Sequence, residues 1–225
     1  YESSHRSMLD FIDPSWALIY SVDDVSQVEK DLQDNVLLGK ISTTKLQQVL
    51  KKHPFIGKLP YSSEILIALP KAQDTANNVL VIAKSHKTTP QDSLQNTSPP
   101  KKGIVIKKYS GETIYQAQVG DYILLSGTKK YLEKALKQEK NQDLALVKLM
   151  GSNTFKGISV YTKYNTFLDS EATLSAWNGL DLTLVSKGIQ GSGIAMIQDS
   201  LQLLSVFKGQ QPHGFSMASM IPNTA

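Results

Sequence analysis

Cysteine is absent from the 225 residues of this chain. Its absence excludes disulfide bonds, a thiolate nucleophile and zinc bound through cysteine. A sequence without thiols fits a bacterial envelope protein, and it fits many cytosolic proteins as well. Long apolar runs are also missing, because no stretch approaches the roughly 18 apolar residues of a membrane helix. The sequence therefore predicts no transmembrane segment between residues 1 and 225.

A strong excess of charge of either sign is missing too, since the formal net charge is only +4. A nucleic-acid partner normally requires a clustered basic face, so we expect none. The lysine pairs are scattered, and we expect them to lie on the solvated surface: Lys51-Lys52, Lys101-Lys102, Lys107-Lys108 and Lys129-Lys130. With 40% hydrophobic and 20% charged residues, the chain is typical of a globular protein with one large or two small domains.

The opening segment is the strongest local pattern. Asp13-Pro14-Ser15 indicates a turn, because proline fixes φ and disfavours helix at the preceding residue. Residues 16–22 are apolar, β-branched and aromatic, which predicts a strand covered on both faces. Asp23-Asp24 can cap the following helix by accepting bonds from free backbone N–H groups. The inner face of that helix has the spacing of a single helical stripe: Val25, Val28, Leu32 and Val36.

The chain then alternates helices with paired strands as far as residue 150. Gly39 is a plausible end for the first helix, and Ser42, Thr43 or Thr44 can cap a second helix that His53-Pro54 ends. Strands are predicted at 64–69 and 78–83 as an antiparallel hairpin, and at 104–109, 113–119 and 122–126 as a meander. Helices follow from the Thr128 cap and near 143–150. Residues 84–103 are irregular and are interpreted as a surface excursion, with a short helix from Thr89-Pro90 through Leu94 as the alternative.

The remainder repeats this order in a reduced form. A strand is predicted at 155–162, an undefined stretch at 164–173, a hairpin of 177–186 and 189–198 over Lys187-Gly188, and a helix at 201–207 before a linker at 208–212. Residues 217–225 resemble the opening segment. We therefore predict an α+β fold of antiparallel sheets, each covered on one side by helices, in duplicated modules. The modules are 8–150, 151–216 and a truncated third at 217–225.

Few residues suggest chemistry. His5, His53, His86 and His213 lack the spacing of a metal site and are interpreted as lone surface residues. Gln190-Gly191-Ser192-Gly193 lacks the outer glycine of a nucleophile elbow and is interpreted as a glycine-rich bend in a strand. Ser126-Gly127-Thr128-Lys129 lacks the upstream glycine of a phosphate loop, and Thr128 already has a role as a helix cap.

Two sets of side chains have both a functional and a structural interpretation. Asp23-Asp24, and Glu64 with Asp121, could form the carboxylate pair of a glycosidase, but capping explains Asp23-Asp24 without catalysis. Aromatic residues on strands can line a groove or complete a core, and core is the preferred interpretation: Trp16, Tyr20, Tyr109, Tyr115, Tyr122, Tyr161 and Tyr164. The sequence thus predicts no catalytic, cofactor-binding or metal-binding residue.

A family resemblance covers roughly residues 8–225. Residues 11–20, Phe-Ile-Asp-Pro-Ser-Trp-Ala-Leu-Ile-Tyr, followed by a capped helix, resemble a group of uncharacterised domains of large bacterial envelope proteins. So do residues 109–115, 122–127 and 221–225. The resemblance implies an exported or lipid-anchored α+β protein with duplicated modules, in the periplasm or outside the cell. It carries over no activity and no catalytic residue.

The sequence leaves three hypotheses for the function. The first is a non-catalytic, exported bacterial domain with a structural or binding role in a longer chain, which we expect to begin before Tyr1 and to continue past Ala225. Its partners would be other domains of that chain, an envelope protein or a glycan. The second is a carrier of a small ligand or lipid in a cavity between sheet and helices. The third is a hydrolase with an unrecognised site.

Overall fold

A computed structural model describes residues 7–13, 15–40, 44–58, 61–69, 78–85, 103–109, 112–138, 143–152, 157–163 and 175–198, and positions 202, 205 and 209. The strands are β1 (Leu18–Val22), β2 (Tyr61–Leu69), β3 (Leu80–Ser85), β4 (Val105–Tyr109), β5 (Glu112–Val119), β6 (Tyr122–Ser126), β7 (Ile158–Thr162), β8 (Trp177–Val185) and β9 (Gly188–Met196). The helices are α1 (Val25–Asp34), α2 (Val36–Lys40), α3 (Lys45–Lys52), α4 (Lys129–Lys137) and α5 (Leu144–Gly151), with 3-10 turns at Met8–Phe11 and Ile56–Lys58.

The nine strands form one antiparallel sheet in the order β4-β5-β6-β3-β2-β1-β7-β8-β9. The α+β class predicted from the sequence is therefore confirmed. The expectation of several sheets with helices on one side is corrected, because the described strands share one sheet with helices on both faces. The physical reason is that β1 is buried on both faces and forms hydrogen bonds along both of its edges, with β2 on one side and with β7 on the other. The order of elements along the chain does not indicate this pairing.

Two apolar layers cover the two faces of the sheet. On the first face, Leu18, Tyr20 and Val22 of β1 pack with the inner residues of α1, α2 and α3. On the second face, Ile19 packs with Phe11 of the first 3-10 turn and with residues of α4 and α5. Adjacent side chains of a strand point to opposite faces, so a continuous apolar strand serves both layers. The prediction of a strand with both faces covered is confirmed for Leu18–Val22, whereas residues 16 and 17, predicted in the same strand, precede it.

The end of α1 differs from the prediction. The helix ends at Asp34 with Asn35 as its C-cap, and Gly39 lies inside α2 instead of ending α1. Val36 was predicted on the inner face of α1, but it is the first residue of α2 and is exposed. Asn35 is buried, and its amide Nδ2 donates to the carbonyls of Val185 and Gly188, each at 2.7 Å. Its Oδ1 accepts a bond from the backbone N–H of Leu38 at 2.9 Å. A polar side chain with partners in a distant hairpin thus sets the boundary between the two helices.

Other boundaries shift by a few residues. β2 begins at Tyr61, three residues before the predicted start, because it continues past a register irregularity to pair with Ser85. β3 runs from Leu80 to Ser85, two residues later than predicted. The β8–β9 turn is Ser186-Lys187, since Gly188 already belongs to β9. The elements predicted at 90–94, 164–173, 201–207, 208–212 and 217–225 lie outside the continuously described ranges.

The helices vary in length and polarity. None of those in the part of the chain that the structure describes combines the length and the apolar character that a membrane crossing requires.

Candidate functional site

A pocket of about 190 Å³ lies where the N-terminus of α5 meets the ends of β7, β8 and β9. Its lining residues combine charged, amide and hydroxyl groups with one indole: Asp143, Lys163, Ser175, Ala176, Trp177, Gln198 and Gln202. The pocket thus brings polar groups at the ends of four elements around one small cavity, which is smaller and more polar than most sites for drug-sized ligands.

Asp143 is the central residue of this pocket. Its carboxylate caps α5 by accepting from the backbone N–H of Leu146 at 3.2 Å, and it accepts from the Trp177 indole Nε1 at 2.8 Å. Lys163 Nζ lies 2.9 Å from Asp143 Oδ2. Partial burial alone would raise the pKa of Asp143, but the bonds from Trp177, Lys163 and Leu146 together hold the pKa below its ordinary value. The group is therefore an anion at neutral pH.

Trp177 forms a wall of the pocket. It is only 1% exposed, so its ring face is not open for stacking against a ligand. The Lys163 ammonium lies 4.9 Å from the ring centroid, which is within cation–π range. The ammonium therefore interacts with a carboxylate and an aromatic ring at once, and these contacts hold it beside the pocket.

Neutral polar groups complete the lining. The backbone N–H of Gln198 donates to Gln202 Oε1 at 3.0 Å, and the Ser175 hydroxyl donates to Asn178 Oδ1 at 2.8 Å. One positive and one negative side chain balance each other beside these groups. The pocket is thus charge-compensated and rich in both donors and acceptors.

Two of the carboxylates named from the sequence make structural hydrogen bonds. Asp24 caps α1 by accepting from the backbone N–H of Gln27 at 2.9 Å, as predicted. Glu64 accepts from the Ser21 hydroxyl at 2.5 Å. Asp121 lies in the turn between β5 and β6, and β3 separates β6 from β2 in the sheet. The structure therefore does not place Glu64 and Asp121 on neighbouring strands.

The serine and threonine candidates are also structural. Ser126 is buried, donates to the carbonyl of Val79 at 2.8 Å and accepts from the backbone N–H of Thr128 at 3.2 Å. Thr128 occupies the N-cap position of α4 without a side-chain capping bond, so its predicted cap is corrected. Its Oγ1 lies 3.5 Å from Asn78 Oδ1 instead. Ser192, the serine of the possible nucleophile elbow, is exposed in β9, which pairs with β8 without a break in register.

The histidine and aromatic predictions have mixed outcomes. His53 is 3% exposed, so its interpretation as a surface residue is wrong. Its Nδ1 lies 3.4 Å from Glu112 Oε2, and its ring packs against Phe55 at 5.5 Å. The other three histidines lie outside the described residues. Trp16, Tyr20 and Tyr161 are buried, which confirms the core interpretation for these three side chains.

The described parts of the lysine pairs are exposed, as predicted: Lys51-Lys52, Lys107-Lys108 and Lys129-Lys130. Within the described ranges, no three acidic or histidine side chains come together in a way that could hold a metal ion.

Sequence reasoning missed the pocket itself. Asp143 and Trp177 appeared only as the start of a helix and the start of a strand. A buried indole N–H needs an acceptor, and this requirement is the one indication that the sequence offers. It does not identify an acceptor 34 residues away.

Comparisons with known proteins give no family. No protein-family model matches the chain, and no curated protein matches it. Among solved structures, crystal form I of TP0453 is similar with a TM-score of 0.39 and 11% identity, covering 81% of this chain and 75% of that one. Crystal form III of TP0453 has a TM-score of 0.41 and 12% identity, covering 80% and 76%.

Proposed function

We propose that this chain is a non-catalytic binding domain of a longer exported bacterial protein. In this proposal the pocket beside Asp143 takes a small, neutral, hydrogen-bonding ligand such as a sugar unit of a glycan. The observation that carries the proposal is the charge-compensated pair of Asp143 and Lys163 surrounded by amide and hydroxyl groups. Donors and acceptors in a pocket without net charge favour a ligand that is polar and itself uncharged.

The state of Asp143 supports a role in binding over one in catalysis. A general base needs a pKa close to the working pH, whereas bonds from Trp177, Lys163 and Leu146 hold the pKa of Asp143 below its ordinary value although burial opposes them. A carboxylate in that state takes up protons poorly at neutral pH. It fixes the positions of the lysine and the indole instead.

The exported location and the modular architecture rest on the residue pattern of 11–20 and 221–225. Duplicated modules at 8–150 and 151–216, with a third beginning at 217, remain a prediction. Other domains of the same chain and envelope glycans are the proposed partners. Fractionation of the source bacterium with an antibody to this domain tests the location, and recovery in the cytosolic fraction alone would contradict it.

Tryptophan fluorescence tests ligand binding directly. Replacing Trp16 by Phe leaves Trp177 as the sole indole, because the chain has two tryptophans. We expect oligosaccharides of N-acetylglucosamine to shift the emission wavelength of Trp177, and the shift should saturate with ligand concentration. A ligand in the pocket alters the surroundings of the Lys163 ammonium, which lies 4.9 Å from the indole ring and therefore affects its emission.

A matched pair of variants separates pocket binding from surface adsorption. Gln198→Ala removes an amide that lines the pocket and should weaken binding. Gln190→Ala removes an exposed amide of β9 outside the pocket and should leave binding unchanged. An equal effect of both variants, or no saturable change in fluorescence, would refute the sugar-binding proposal. Turnover of the oligosaccharide would refute the non-catalytic part.

A further inference from the structure

The two edges of the sheet are protected differently. β4 forms one edge and β9 the other. An edge strand presents unpaired backbone groups to other chains, and proteins commonly guard such edges with short strands or lysines. β4 has five residues and carries the exposed Lys107 and Lys108. β9 has nine residues, Gly188–Met196, and no charged side chain.

β9 is held in an extended form before any partner arrives. It pairs with β8 at nine consecutive positions. The Asn35 amide bonds both ends of the turn through the carbonyls of Val185 and Gly188, and the backbone N–H of Val36 donates to the Ser186 carbonyl at 3.0 Å. A strand that is already ordered loses little further conformational entropy when it pairs.

Apolar side chains on and beside β9 face solvent. Ile194 is 53% exposed and Ile189 is 40% exposed, while Leu180 of the adjacent β8 is 42% exposed. By alternation and register, Ile194 lies on one face of the sheet, and Ile189 and Leu180 lie on the other. A new strand along this edge would therefore cover apolar surface on both faces.

We propose that a second copy of this chain pairs with β9 antiparallel across a twofold axis, joining the two sheets edge to edge. The axis passes through Ser192, the central residue of the strand, because only this register pairs all nine residues of β9. This proposal is independent of the pocket and of the proposed ligand.

The charge and size of the residues favour a second copy as the partner. β9 pairing with itself brings no like charges together, whereas pairing of β4 with itself would bring lysines together. The bulky side chains are not crowded against each other at the centre of the strand, because the residues on both sides of Ser192 are glycines and Ile189 faces an alanine. The facing positions are Ser192 with Ser192, Gln190 with Ile194, Ile189 with Ala195 and Gly191 with Gly193.

The molar mass in solution provides the first test. We expect the full chain to have twice its monomer mass of 24.8 kDa by light scattering. Ile194→Lys should raise the dissociation constant of the dimer at least about tenfold, equivalent to about 1.4 kcal/mol, because a charge blocks an edge strand. Ile106→Lys places the same charge on the exposed residue of β4 and should leave the dimer intact. Circular dichroism and urea unfolding verify that both variants fold.

Cross-linking provides the second test, and it determines which residues of the two β9 strands face each other. The chain contains no cysteine, so Ser192→Cys introduces a single thiol at the axis, where facing Cα atoms of antiparallel strands lie within the distance of a disulfide. Mild oxidation should link two copies of Ser192→Cys. Gln190→Cys faces Ile194 of the other copy and should link poorly, but the double variant with Ile194→Cys should link well.

A monomer at every attainable concentration would overturn the proposal. A dimer that tolerates Ile194→Lys, or one in which Gln190→Cys links as fast as Ser192→Cys, would overturn it as well. The first two outcomes would exclude β9 as the interface between copies, and the third would exclude the register centred on Ser192.

Discussion

Replacing Asn35 by alanine should destabilise the β8–β9 hairpin and the junction of α1 with α2 together. Its side chain is 2% exposed and makes hydrogen bonds with the backbone of Val185, Gly188 and Leu38 at 2.7, 2.7 and 2.9 Å. Alanine removes all of these bonds and leaves two carbonyl groups and one N–H to find other partners.

The expected magnitude follows from those bonds. A typical intramolecular hydrogen bond contributes about 1 kcal/mol net, and a buried group left without a partner costs about 1–3 kcal/mol. Water can reach part of the turn, because Ser186 and Lys187 are exposed. We therefore expect Asn35→Ala to lower the free energy of unfolding by about 2–3 kcal/mol. Asn35→Asp should cost more, since it directs a carboxylate at the two carbonyl oxygens.

Urea unfolding measures the global loss, and hydrogen exchange locates it. We expect the amides of β8 and β9 to exchange faster in Asn35→Ala while those of β2 and β3, in the centre of the sheet, change least. Gln33→Ala is the matched control, because Gln33 is exposed on α1 two residues earlier. If Asn35→Ala unfolds within about 0.5 kcal/mol of the wild type, as ordinary surface substitutions do, the reasoning from buried hydrogen bonds is refuted.

Three further predictions concern single side chains. The pKa of Asp143 in the folded state lies below its ordinary value of 3.8. The ionised carboxylate therefore stabilises the fold above pH 3.8, and this contribution is lost as the pH falls below 3.8. Urea unfolding at decreasing pH should show the difference in stability between the wild type and Asp143→Asn closing below pH 3.8. Gly179→Ala should cost about 1–3 kcal/mol in urea unfolding, because its Cβ would lie 3.1 Å from Leu149 Cδ1; Gly151→Ala, with open space around its Cβ, should cost nothing. Burial raises the pKa of Tyr20 to about 12, so stability should fall as pH rises from about 10 through 12. Urea unfolding over this range should show a smaller loss of stability for Tyr20→Phe than for the wild type.

Local patterns in the sequence predicted local structure well. The capping residue of α1, the first three residues of its apolar stripe and the antiparallel pairing of β2 with β3 depend on neighbours within a few residues or on a simple alternation, and they are confirmed. Val36, the fourth residue predicted for that stripe, is 55% exposed in α2. Asn35 gave no comparable indication, because its partners lie 150 and 153 residues away. Lys163 of the pocket was overlooked for the same reason, since its partner Asp143 belongs to another element.

Sheet order is the part of the fold that the sequence left open, and polar residues inside apolar strands help to specify it. Ser21 of β1 lies directly opposite Ser159 of β7. Each hydroxyl donates to a carboxylate on its other side, Ser21 to Glu64 of β2 and Ser159 to Asp181 of β8, at 2.5 and 2.6 Å. A slip of one residue between β1 and β2, or between β7 and β8, would move the serine and its carboxylate to opposite faces and break the bond. The two bonds thus favour one register of β2 beside β1 and one register of β8 beside β7, on either side of the pair in which the two serines face each other.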